Sequence, residues 1–105
     1  MVPEISPPQL KERLASGDPP VVLDVREPWE RDIVRLAGTV DIPMGEVPVR
    51  LGELPQDKEI VVMCKAGGRS AMAADFLQRR GYRAVNLTGG ILAWAREVDP
   101  SLATY

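Results

Sequence analysis

The sequence predicts an α/β domain built on a mainly parallel sheet with helices on both faces. Three observations carry that expectation. Short β-branched runs alternate with amphipathic segments along the whole chain. The strongest run, Ile60-Val61-Val62-Met63, is apolar throughout, as in a strand buried on both faces. No linker, repeat or low-complexity tract interrupts the alternation. With 105 residues, 45% hydrophobic and 27% charged, the composition fits one domain, residues 1–105, with one core.

The elements follow in order. Ser6-Pro7-Pro8-Gln9 reads as a helix start, with a hydroxyl cap, prolines in the first turn and Gln9 at the capping-box position. Leu10 and Leu14 give that helix an apolar face, and Gly17 is expected to end it. Val21–Val25, bounded by Pro20 and Pro28, reads as a buried strand, and Pro28 opens a short helix near Trp29-Glu30-Arg31. Val40-Asp41-Ile42 is a weaker strand signal, followed by a short helix around Val47–Leu54. Ile60–Met63 is a strand and Ser70–Arg80 a helix stopped by Gly81. Ala84–Leu87 is the last strand and Gly90–Val98 the last helix.

Composition removes whole classes of function. There is no histidine and a single cysteine, so an intramolecular disulfide, a histidine metal site and a Ser-His-Asp triad are all excluded. A net charge of −2 gives no electrostatic case for nucleic acid. No stretch approaches a membrane span, and Met1-Val2-Pro3-Glu4 has neither the basic start nor the apolar run of a secretory signal. A cytoplasmic monomer without cofactor or metal is expected.

The chemistry centres on Cys64-Lys65-Ala66-Gly67-Gly68-Arg69-Ser70, between the clearest strand and the clearest helix. Ligands of open α/β sheets bind beyond the carboxyl ends of strands, where this loop falls. Two glycines let the backbone curl so that successive N–H groups face inward, and the following helix adds its positive end. Such surroundings, with the cations Lys65 and Arg69, favour thiolate over thiol and activate a cysteine without histidine. A buried structural thiol is the plain alternative for an isolated cysteine. Strand, cysteine, double glycine, arginine and helix start in one run make Cys64 the expected nucleophile.

The loop resembles the active-site loop of single-domain rhodaneses, in which Cys-x-x-Gly-x-Arg-Ser/Thr recurs. Leu23-Asp24-Val25-Arg26-Glu27-Pro28-Trp29-Glu30 is similar to that family's Asp-Val-Arg segment, and Asn86-Leu87-Thr88-Gly89-Gly90-Ile91-Leu92-Ala93-Trp94 to its Gly-Gly and Trp element. The three blocks occur in the family's order, and the resemblance covers about residues 3–98. It implies a rhodanese-like fold and a thiosulfate sulfurtransferase: Cys64 takes sulfur from an anionic donor as a persulfide and passes it to a thiol, cyanide or a sulfur-carrier protein. By the same resemblance, the N–H groups of Lys65, Ala66, Gly67, Gly68 and Arg69 cradle the terminal sulfur, with Ser70 closing the loop. Lys65 and Arg69 draw in the sulfonate end of the donor. A basic loop of this kind favours thiosulfate over mercaptopyruvate. One departure stands out: Leu36-Ala37-Gly38-Thr39-Val40 replaces the family's frequent Gly-His-Ile-Pro-Gly-Ala, which bears on local loop shape and partner contacts. The ending Trp94–Pro100 also resembles rhodanese domains fused to adenylating enzymes of molybdopterin and thiamine synthesis.

The other singled-out residues have two readings each. Arg26 either adds positive potential to the pocket or pairs with Asp24 as a structural tether. Trp94 is read as core, and Gly89-Gly90 as the strand-to-helix turn, which in the family lies near the pocket. Two rival functions remain. A phosphatase or arsenate reductase on the same fold would need a larger cradle than the four residues separating Cys64 from Arg69 allow. A binding module or protein-to-protein sulfur relay would show little activity towards thiosulfate.

Overall fold

A computed structural model describes residues 2–105. Among these residues five strands, β1 (Glu4–Ile5), β2 (Val21–Asp24), β3 (Val40–Asp41), β4 (Glu59–Met63) and β5 (Arg83–Leu87), form one parallel sheet in the order β1-β5-β4-β2-β3. The helices are α1 (Pro7–Leu14), α2 (Pro28–Ile33), α3 (Gly68–Arg79) and α4 (Gly90–Glu97). The central strand β4 alternates its side chains between two cores, as the two-residue pleat requires. Ile60 and Val62 face Ala73, Ala74 and Leu77 of α3, together with Val47 and Leu54. Val61 and Met63 face Leu10 of α1 and Ile91 and Trp94 of α4. Helices therefore cover both faces, and Trp94 is a core residue, 9% exposed.

The helix start at Ser6 forms as read: Ser6 Oγ accepts from Gln9 N–H and Gln9 Oε1 accepts from Ser6 N–H. Its end differs. The helix stops at Leu14 with Ala15 in an ordinary right-handed conformation, because Ala15 and Ser16 turn on 3₁₀-type bonds before Gly17 is reached. The helix expected around Val47–Leu54 is instead two 3₁₀ turns, Met44–Val49 and Leu51–Glu53. Pro48 within the first, and Gly45 and Gly52, are poor material for an α-helix, and the tighter turn tolerates them in short runs. Strand β1 was not foreseen: two residues hemmed by Pro3 and Pro7 carry no periodic signal, and only pairing with β5 makes them a strand. Helix α3 begins two residues earlier than expected, directly from Gly67. Among the described residues no helix is long and apolar enough to cross a membrane.

Candidate active site

Cys64 follows the last residue of β4, and the loop it opens turns into α3 at Gly68. Gly67 takes φ +108°, a left-handed conformation costly for other residues, and this turn points its N–H back at the cysteine. Cys64 Sγ lies 3.1 Å from the Gly67 nitrogen, 3.4 Å from the Ser70 nitrogen and 3.2 Å from Ser70 Oγ. Burial, with Cys64 only 1% exposed, pushes the thiol pKa up. Donation from the Ser70 hydroxyl and from the N–H groups of Ser70, Gly67 and Ala66 outweighs it, and the net direction is down. Gly68 and Arg69, as the first residues of α3, add N–H groups that have no intrahelical acceptor.

Helix α4 holds the loop from behind. Ile91 N–H donates to the Cys64 carbonyl at 2.9 Å, and Leu92 N–H to the Lys65 carbonyl at 3.1 Å. These are first-turn amides of α4, otherwise orphaned, and they turn the loop carbonyls away from the sulfur. Asn86, on β5, braces the other side: Nδ2 donates to the Gly67 carbonyl at 3.2 Å, and Oδ1 accepts from Ser70 Oγ at 2.6 Å.

The cations behave differently from one another. Arg69 grips Glu30 with both terminal nitrogens, at 2.7 and 2.8 Å, and both charges are stabilised: the Arg69 pKa moves up, and Arg69 draws that of Glu30 down to about 2 against the opposing effect of burial. Glu30 also accepts from the Glu27 N–H and the Tyr105 hydroxyl, so four donors fill its carboxylate. Arg26 is fully buried and pairs with Asp24, which accepts from Nε and Nη2 at distances from 2.8 to 3.1 Å. Its remaining hydrogens go to the carbonyls of Glu30 and Val34 and to Tyr105 Oη. All five N–H donors are thus engaged, leaving none to hydrogen-bond a ligand. The tether reading of Arg26 matches this placement, and any effect it has on the pocket passes through its field or the fold. Lys65 alone among the loop cations has no carboxylate within 4.0 Å among the described residues; its ammonium sits 4.5 Å from the centre of the Tyr105 ring.

The structure therefore gathers Cys64, Lys65, Ala66, Gly67, Gly68, Arg69 and Ser70 into one loop and sets Arg26 behind it. Sequence reasoning missed Asn86, Glu30 and Tyr105. Asn86 left a signal, the one amide in the otherwise apolar run Ala84–Leu87, since a polar side chain in a buried strand needs partners. Glu30 and Tyr105 left none, because their partners lie 39 and 75 residues away in sequence.

Comparison with known proteins agrees with this geometry. The rhodanese-like domain family matches residues 6–97. A sulfurtransferase of Allochromatium vinosum is 38% identical over 98% of this chain and 97% of its own length. The probable adenylyltransferase/sulfurtransferase MoeZ of Mycobacterium tuberculosis is 40% identical over 96% of this chain, which spans 26% of that longer protein. The crystal structure of a rhodanese-related protein from Thermoplasma volcanium superposes with a TM-score of 0.84 at 35% identity, covering 91% of this chain and 93% of that one. The chain belongs to the rhodanese-like domain family, in the company of sulfurtransferases.

Proposed function

We propose that the protein transfers sulfane sulfur from a small anionic donor, thiosulfate by class, to a thiophilic acceptor through a persulfide on Cys64. One observation carries the reading: a thiol at the floor of a tight loop, held by N–H and hydroxyl donors at 3.1 to 3.4 Å, with the open end of α3 beside it. The Cys64 thiolate attacks the outer sulfur of thiosulfate. A new S–S bond forms, the old one breaks, and sulfite departs with the electron pair. The persulfide's terminal sulfur then carries the negative charge, and the unpaired N–H groups of Gly68 and Arg69 are suited to receive it. In the second half, an acceptor nucleophile takes that sulfur and Cys64 leaves as thiolate, stabilised by the same donors. A cysteine 1% exposed favours a donor that presents a single slim atom, as thiosulfate does.

Phosphoryl transfer fits less well. It would call on Arg69 to clamp a tetrahedral anion, but that guanidinium is committed to Glu30. The similarity to MoeZ, whose name joins adenylyltransferase to sulfurtransferase, supports a sulfur-carrier protein as the acceptor class. The test is intact-mass spectrometry before and after thiosulfate. A gain of about one sulfur atom, removed by cyanide and absent in Cys64→Ser, is the expected result, since a serine hydroxyl forms no persulfide. Undiminished sulfur loading in that variant would remove Cys64 from the mechanism. No loading of the parent protein by thiosulfate, with loading by a protein persulfide, would favour the relay.

A further inference from the structure

Resting on that reading, we infer that Tyr105 is a positioning residue for Lys65: its ring holds the ammonium at the rim of the Cys64 loop and makes Lys65 the charge that selects anionic donors. Glu30 offsets the charge of Arg69 through a two-pronged ion pair, while Arg26 pairs with Asp24 and has all five donors engaged. Lys65 is what remains. Its charge rides on a flexible four-carbon stem, which a carboxylate could fix only by neutralising it. An aromatic face fixes the ammonium and leaves its charge available to a ligand. The geometry is of that kind, with the nitrogen 4.5 Å from the ring centre.

The ring is itself anchored. Tyr105 Oη donates to Glu30 at 2.7 Å and accepts from Arg26 Nη1 at 3.2 Å, while Trp29 meets it edge-on with centres 6.2 Å apart. One tyrosine thus joins the free cation of the loop to the carboxylate that holds the other, Arg69.

The test uses the single cysteine and needs no sulfur transfer. Every alkylation event reports Cys64, so the ratio of its rates with iodoacetate and with iodoacetamide, of nearly equal size, isolates the charge felt at the sulfur. Tyr105→Leu should lower that ratio about two- to fivefold, the range of an exposed cation–π contact. Tyr105→Phe should fall between Leu and the parent, keeping the ring without its anchor. Lys65→Met should lower the ratio at least as far, and adding Tyr105→Leu to it should lower it no further. A parent-like ratio in Tyr105→Leu, or a further full drop in the double variant, would overturn the proposal. A parent protein that takes no sulfur from thiosulfate would sink the donor reading, while the alkylation ratio would still decide the Tyr105–Lys65 pairing.

Discussion

Ser70 Oγ has one hydrogen and two acceptors, Cys64 Sγ at 3.2 Å and Asn86 Oδ1 at 2.6 Å. With Cys64 as a thiol, the S–H donates to Ser70 and the Ser70 hydroxyl donates to Asn86. When Cys64 ionises, the hydroxyl turns to the sulfur. The hydroxyl that accepts a hydrogen bond from the thiol therefore donates one to the thiolate, inside a pocket where an unmet charge is costly. Ser70→Ala removes that donor and keeps the burial, which pushes the thiol pKa up. The pH profile of iodoacetamide alkylation should accordingly move to higher pH, with the rate at neutral pH falling several-fold; an unmoved profile would assign the stabilisation to the backbone alone. At this scale the loop residues were legible because their types and spacing are local. Asn86 showed only as an amide in an apolar run, with its partners unmarked, and Glu30 not at all, because a hydrogen-bond partner is fixed by the fold.

Between elements, the contact that shapes the site is the first turn of α4 against the loop. Ile91 and Leu92 can reach the carbonyls of Cys64 and Lys65 only because Gly90 has no side chain. A Cβ there would stand 2.4 Å from the Lys65 carbonyl oxygen and 2.5 Å from that of Cys64, at a φ of +62°. Gly90→Ala should cost at least about 2 kcal/mol, from left-handed strain plus displacement of the loop. It should also depress sulfur loading more than stability alone explains. Gly52→Ala, with open space around it, should leave the melting temperature nearly unchanged. Equal behaviour of the two variants would refute the packing argument. The Gly89-Gly90 pair marked a strand-to-helix turn in the sequence, whereas its close approach to the loop depended on knowing that α4 lies behind β4. The helix expected around Val47–Leu54 became two 3₁₀ turns for a related reason: Gly45, Pro48 and Gly52 yield to packing of Val47 and Leu54 on the core.

Across the whole molecule, the alternation of strands and helices was legible, but the strand order was not, since periodicity says nothing about which parallel strands become neighbours. That order brings the carboxyl end of β2 beside that of β4, so segments distant in the chain converge on Glu30. Glu30 fastens α2 to the start of α3 and to Tyr105 near the end of the chain. Its pKa in the folded protein is drawn down to about 2, whereas an unfolded chain holds it near its ordinary value of about 4.3. The unfolded state binds the proton more readily, so the stabilisation is complete above the ordinary pKa and is lost as pH falls towards 2. Full linkage overstates its size because Arg69 is 38% exposed, and about 2 kcal/mol is the expected contribution at neutral pH. Urea midpoints of the parent and of Glu30→Gln, followed from pH 7 down to about pH 2.5, should differ most at neutral pH and converge in acid. The loss should start below the ordinary carboxylate pKa, because above it both folded and unfolded chains keep Glu30 ionised. A gap between the two proteins that stays constant over this range would mean that Glu30 stabilises by packing and not through its charge.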